Sequence, residues 1–192
     1  MMDKSSSRKE ILSKLNRMPK EIHKDKTEKI IQRLVENPLF AQAETIGVTI
    51  SAFPEVDTSV LIDHCWKIGK KVAVPRCIPS SREMDFYILA DYSELENVYM
   101  KLMEPRIDRC PYAAPDEIGL MLVPGVAFSR SGYRIGFGGG YYDRYLAAYQ
   151  GNTISLAFEI QLMESIAVES HDVPVQGIIT ENEWITAAGW RR

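Results

Sequence analysis

The sequence predicts an α/β fold: a single three-layer α/β/α domain over residues 1–192, with a mainly parallel central sheet. Three observations lead there. Strand-like runs rich in β-branched residues alternate with helix-patterned segments, most clearly where residues 45–51 and 71–75 flank Val60, Leu61, Cys65 and Ile68 at helical spacing. Residues 118–123 form an unbroken apolar run, the pattern of a strand covered on both faces. A chain of 192 residues can bury one sizeable core, and no internal repeat, low-complexity block or domain boundary interrupts it.

In chain order, Ser7-Arg8-Lys9-Glu10 offers a capping box for a first helix with Ile11, Leu12 and Leu15 as its apolar stripe; alternatively the helix starts earlier and takes in Lys4. Lys4 and Arg8 are four apart, so a helix projects both cations from one face. Pro19 opens a second helix, with Ile22, Ile30, Ile31, Leu34 and Val35 as a partial apolar face, and Asn37-Pro38 ends it. His23 on that helix reads as a surface residue. Residues 45–51 lead into the loop Phe53-Pro54-Glu55, where Glu55 alone reads as a solvated carboxylate and Phe53 as a core residue or an aromatic wall. Asp57 or Thr58 caps the next helix and Gly69 terminates it, completing a right-handed β-α-β unit with residues 71–75. Residues 84–89 are expected at an antiparallel edge, because Asp85 and Tyr87 break a fully buried pattern. Residues 92–103 stay open between helix and irregular chain, and residues 104–115 read as a surface excursion. Residues 152–158 and 177–180 complete the strands, and the tail from Trp184 through Trp190 to Arg191-Arg192 is expected to pack on the surface or fray.

Composition removes several function classes. A net charge of −3 lacks the basic character of a general nucleic-acid binder. No apolar run reaches the ~18 residues of a membrane span, and the polar N-terminus has no signal-peptide core, so a cytoplasmic protein is expected. Cys65, Cys77 and Cys110 are odd in number and lack metal-like spacing, which reads as reduced thiols.

The most informative window is residues 124–146. Pro124-Gly125 stops the apolar strand at its C-terminal end, the edge of a parallel sheet where ligands sit. Gly136, Gly138, Gly139 and Gly140 then free the backbone to present several N–H groups to an anion, and a helix expected over residues 141–149 aims its N-terminus at the same place. Arg134 and Arg144 flank the loop, and Asp143 offers a hard oxygen suited to magnesium. A flexible turn before a helix is the plainer alternative, and the spacing is neither Walker-type nor a dinucleotide fingerprint.

The run PGVAF, then Gly132, then RIGFGGGYYDRYL closely resembles the signature of the 5-formyltetrahydrofolate cyclo-ligase family, and the resemblance covers most of the chain. It implies a topology similar to the ribose-phosphate isomerase and CoA-transferase group. It also implies ATP-dependent cyclisation of 5-formyltetrahydrofolate to 5,10-methenyltetrahydrofolate, giving ADP and phosphate, with Mg2+ as cofactor. The resemblance implies an ATP site of Lys4, Arg8, Arg134, Ile135, Gly136, Phe137, Gly138, Gly139, Gly140, Tyr141 and Tyr142, with Lys4 and Arg134 catalytic through charge stabilisation. Ile50 and Glu55, with Phe137, Gly138, Gly139, Gly140 and Tyr141, would contact the folate, Glu55 accepting pterin N–H groups, and Asp143 would hold the metal. Partners are then the two substrates, with no nucleic acid and no membrane, in a monomer or homodimer. Two positions depart from the pattern. Gln176 stands where the family usually has a magnesium-holding aspartate, for which Asp172 is the substitute, and Ser129 replaces a frequent aspartate. Together they leave open a non-catalytic nucleotide- or folate-binding paralogue. An isomerase or acyl-CoA transferase on the same architecture would rest on Glu55 alone. Arg134→Ala and Lys4→Ala are both expected to leave the fold intact.

Overall fold

The structure, a computed structural model, describes residues 3–99 and 102–188. Of the two possible starts for the first helix, the earlier is realised: α1 (Lys4–Asn16) begins at Asp3, whose Oδ1 accepts from the amides of Ser5 (2.8 Å) and Ser6 (3.0 Å). Lys4 and Arg8 therefore both ride on α1, which Ile11 and Leu15 anchor in the core. Pro19 precedes α2 (Lys20–Val35), which buries Ile30, Ile31 and Leu34 but leaves Ile22 exposed. Asn37-Pro38 ends α2 and also starts a short helix that the sequence did not announce, α3 (Pro38–Gln42), with the Asn37 side chain accepting from the Leu39 amide at 2.9 Å.

The β-α-β unit is present: β1 (Thr45–Gly47), α4 (Ser59–Lys67) and β2 (Lys71–Ile78), with β1 and β2 parallel. The buried stripe of α4 is Leu61, Ile62 and Cys65; Val60 and Ile68, expected inward, face solvent. β3 (Glu83–Leu89) runs antiparallel to β2 as expected, yet it is not the edge. β6 (Tyr112–Ala113), from the segment read as a surface excursion, pairs outside it. Between them β4 (Leu95–Tyr99) and β5 (Leu102–Pro105) form a separate antiparallel hairpin, resolving the ambiguous stretch. Then come β7 (Leu120–Leu122), β8 (Ala127–Ser129), β9 (Arg134–Ile135), α5 (Tyr141–Leu146), β10 (Asn152–Leu156), β11 (Leu162–Met163), β12 (Gly177–Ile179) and β13 (Trp184–Thr186).

The main sheet has the order β13-β12-β10-β7-β1-β2-β3-β6, parallel from β12 to β2 and antiparallel at both ends. Its two faces are read from alternate residues: Val72, Val74, Leu120 and Leu122 join one apolar cluster with α2 and α4, while Ala73, Met121 and Val123 join another with Leu146 of α5. The three-layer, mainly parallel arrangement expected from the sequence is thus the observed one. β13 is an addition, since the tail pairs with β12; Trp190, Arg191 and Arg192 lie outside the described residues. No described helix is long and apolar enough to cross a membrane.

A second, small sheet, β11-β8-β9, carries the chain from the main sheet to the glycine loop. Buried Gln161 fastens its entrance: Nε2 donates to the carbonyls of Gly125 (3.2 Å) and Val126 (3.0 Å), and Oε1 accepts from the Phe158 amide (2.8 Å). An apolar replacement strands these backbone groups away from water. Gln161→Leu is expected to lower stability by about 2–4 kcal/mol, read as a fall in urea midpoint with an unchanged slope.

Candidate active site

The C-terminal ends of β1, β2 and β7 open into a cleft of about 500 Å³, bordered by Ile50, Pro75, Cys77 and Pro124 from the sheet side and by the whole glycine loop opposite. All the residues expected to form the site line it: Lys4, Arg8, Ile50, Glu55, Arg134, Ile135, Gly136, Phe137, Gly138, Gly139, Gly140, Tyr141, Tyr142 and Asp143. The loop conformation explains its composition. Gly138 and Gly140 have φ of 106° and 69°, where a Cβ is strained, and Gly140 is the N-cap of α5. The Tyr141 ring lies so close over Gly139 that a Cβ there would fall 2.6 Å from it. α5 ends at Leu146, three residues short of the expected helix.

Three contacts from distant parts of the chain close the cleft. Arg8 Nε donates to the Gly136 carbonyl at 2.8 Å, tying α1 to the loop. Lys4 Nζ donates to Asp172 Oδ2 at 2.7 Å and to Glu169 Oε2 at 3.0 Å. Burial pushes the Asp172 carboxyl up, but the Lys4 ammonium and the Glu169 amide outweigh it and hold the group below the usual aspartate value. Arg134 is 6% exposed; its Nη2 donates to Asp143 Oδ1 at 2.9 Å and its Nη1 to the Val173 carbonyl at 2.7 Å. The Val173 amide returns a bond to the same Asp143 oxygen at 3.2 Å. Among the described residues, no hydrogen bond falls on Asp143 Oδ2.

Glu55 is half buried, and desolvation raises its carboxyl above the ordinary glutamate value, against a weak opposing bond from the Ala52 amide at 3.2 Å. It is therefore not the solvated loop carboxylate of the plain reading. His23, expected at the surface, fixes this loop: its Nε2 bonds the Glu55 carbonyl at 2.8 Å, and its ring sits between Phe53 and Phe158. Phe53 packs on His23 and is 54% exposed outside the cleft, so it is not the aromatic wall. Arg144 bonds back to the Gly140 carbonyl on the exposed side.

The two departures from the expected pattern fall away from the chemistry. Gln176 is not a cleft residue; its Oε1 accepts from the Thr153 amide at 3.1 Å. Ser129 is buried and pairs with Ser131 at 2.8 Å. Asp172, four residues before Gln176, is the carboxylate that reaches the cleft, with Glu169 and His171 beside it. The ground for a silent paralogue goes with that placement. Sequence reasoning missed Cys77, Glu104 and Glu169 at the cleft; for Glu104 the only signal was a charge in a segment otherwise read as surface. The Cys77 thiol is pushed up to about 12 by burial and by the Glu104 carboxylate, so it stays neutral.

Fold and cleft together define an α/β enzyme whose cleft sets a glycine loop against a partly apolar wall. The family model for the 5-formyltetrahydrofolate cyclo-ligase family matches residues 1–181. This chain belongs to that family. It is 33% identical over 159 residues to the 5-formyltetrahydrofolate cyclo-ligase of Escherichia coli strain K12, covering 79% of this chain and 87% of that one. It is 29% identical over 194 residues to a probable 5-formyltetrahydrofolate cyclo-ligase of Caenorhabditis elegans, covering 95% and 94%. The solution structure of Aquifex aeolicus 5,10-methenyltetrahydrofolate synthetase superimposes with a TM-score of 0.86 at 29% identity, over 100% of this chain and 96% of that one. The Mycoplasma pneumoniae synthetase gives 0.76 at 25% identity, over 94% and 99%.

The Arg134 geometry revises one expectation. With Arg134 gone, Asp143 loses its partner in a mostly dehydrated corner and the Val173 carbonyl loses its donor, so the substitution reaches the fold. Asp143 keeps some solvent, which places the loss at the lower end, about 3 kcal/mol. Chemical denaturation of Arg134→Ala should show that loss, and the Arg134→Ala/Asp143→Ala double variant should recover part of it.

Proposed function

We propose that this cleft brings ATP and 5-formyltetrahydrofolate together, and that the chain closes the folate to 5,10-methenyltetrahydrofolate with release of ADP and phosphate. The observation that carries this reading is the convergence, in one cleft, of an amide-rich glycine loop, the cations of α1 and an apolar wall bearing a partly dehydrated carboxylate.

The assignments follow from charge and donor type. The backbone of Ile135, Gly136, Phe137, Gly138, Gly139 and Gly140 cradles the phosphates, and Lys4 and Arg8 neutralise them. Arg134 adds positive charge and holds Asp143 in place. Ile50, Phe137, Tyr141 and Tyr142 supply apolar and aromatic contact, and ionised Glu55 accepts pterin N–H groups. The formyl oxygen attacks the γ-phosphorus and ADP leaves; N10 then attacks the activated formyl carbon and gives up its proton, and the C–O bond breaks as phosphate departs, taking that proton. Such a sequence asks the protein for positioning and charge stabilisation, not for a nucleophile. The neutral Cys77 thiol is consistent with that.

Magnesium fits the donors present: Asp143 has one oxygen fixed by Arg134 and Val173 and the other unpaired among the described residues, and Asp172 adds a second hard oxygen. When bound there, Mg2+ would supply charge neutralisation of the nucleotide phosphates. Cys65, Cys77 and Cys110 are all free thiols, which supports a reducing compartment, and we assign the protein to the cytoplasm as a monomer or homodimer.

Mixing the purified protein with 5-formyltetrahydrofolate, ATP and magnesium should produce the methenyl-folate absorbance band, and leaving out ATP should abolish it. A flat trace from folded protein that binds both substrates would sink the proposed reaction. Lys4→Ala should lower turnover by about 10²- to 10³-fold, the usual effect of removing one charge-stabilising donor, and should also lower the melting temperature, because the largely buried Asp172 carboxylate loses its ammonium partner.

Glu55 gives a pH test. Its folded pKa lies above the ordinary value, so the ionised form opposes folding, and Glu55→Gln should raise the melting temperature near neutral pH. Folate affinity in the wild type should be full above that raised pKa and fall as the pH drops through it, a window higher than a solvated glutamate would give. The Gln variant should bind weakly without that limb, as calorimetry across pH would record.

A further inference from the structure

Glu104, on β5, is a second carboxylate in the cleft and is 3% exposed. Its Oε1 accepts the Cys77 amide at 3.1 Å and the neutral Cys77 thiol lies within hydrogen-bond reach of the carboxylate; among the described residues no cation pairs with it. A carboxylate has room for about four donors, so one largely withdrawn from water with the amide and thiol of a single residue as its donors is short of partners. The same cleft takes in Pro75, Met84, Leu102 and Met103, whose side chains cannot donate. A second unmet polar group stands close by: the Tyr142 hydroxyl is buried without a hydrogen-bond partner and within electrostatic reach of Cys77. An apolar slot holding one acceptor in deficit and one unpaired hydroxyl is built for a flat ring carrying N–H groups.

We propose that Glu104 is a substrate-binding residue that accepts an N–H of the reduced pterin ring. The inference rests on the reaction proposed above. Two heterocycles enter that reaction, and geometry favours the pterin. Phosphoryl transfer sets the formyl group against the γ-phosphate, so the pterin lies beside the glycine loop, and Tyr142 is only two residues beyond Gly140. Adenine is a ribose and three phosphates away from that point. A reduced pterin also carries N–H groups on more than one edge, at N3, N8 and the 2-amino position, and a single carboxylate such as Glu55 faces only one of them.

The test uses Glu104→Gln, whose side-chain carbonyl can keep the Cys77 amide bond while the second oxygen becomes a donor. Calorimetry with 5-formyltetrahydrofolate and, separately, with ATP and magnesium should show folate affinity lowered by about tenfold or more and nucleotide affinity unchanged. Weakened nucleotide binding with intact folate binding would assign the slot to adenine, and no change in either would leave Glu104 a purely structural residue; both results overturn the proposal. Should the variant unfold, the wild-type protein labelled with ¹³C at the glutamate carboxyls gives the same answer: the Glu104 resonance must move on adding folate and stay put on adding nucleotide. Wild-type turnover in the methenyl assay is measured alongside, so that failure of the reaction itself is seen separately from failure of this assignment.

Discussion

The pair of buried Arg134 and half-buried Asp143 is the interaction on which the cleft depends. Arg134 ends the small sheet, Asp143 sits in the first turn of α5, and Val173 belongs to the segment leading into β12, so four hydrogen-bonding groups join three parts of the chain at one point. The glycine loop runs between the two charged residues. A loop of such free backbone would otherwise sample many shapes, and clamping both its ends in a dehydrated corner confines it. The same bond leaves Asp143 with one oxygen committed and one turned to other use.

The second constraint is charge balance across the opening. Lys4 and Arg8 meet the cleft from α1, while Asp172, Glu169 and Glu55 meet it from loops at the sheet's edge. Opposite charges pair at Lys4 and Asp172, which lowers the cost of keeping both partly buried. Glu55 and Glu104 have no cation partner among the described residues, and burial raises the Glu55 carboxyl against only the weak bond from the Ala52 amide. Sites that bind polar substrates commonly hold groups in that condition, because the substrate supplies what the fold withholds.

What could be read from the sequence was what local chemistry decides. The β-α-β unit announced itself through β-branched runs around a helical stripe, and the glycine loop through residues that few other conformations require. Short elements escaped: α3, β6 and β13 are two to five residues long, and their pairing partners lie far away in sequence, as with β13 on β12 or β6 on β3. Burial misled in the same way. Val60 and Leu61 are equally apolar, and only the sheet beneath α4 decides that one faces out and the other in. Glu104 looked like a surface charge because nothing near it in sequence reveals that β5 packs beside β2. Gln176 appeared as a weakened metal ligand because one-dimensional spacing cannot tell which of Asp172 and Gln176 turns toward the cleft.

The placement of α1 bears on the order in which the protein is made. Lys4 and Arg8 are synthesised well before the groups they bind, which lie 128 to 168 positions later: Gly136 for Arg8, and Glu169 and Asp172 for Lys4. During translation these polar contacts of α1 wait for their partners to emerge, and they are of the long-range kind that forms late. The sheet thus forms around a gap that α1 fills late, and the cleft is closed only after the segment bearing Glu169 and Asp172 has been made.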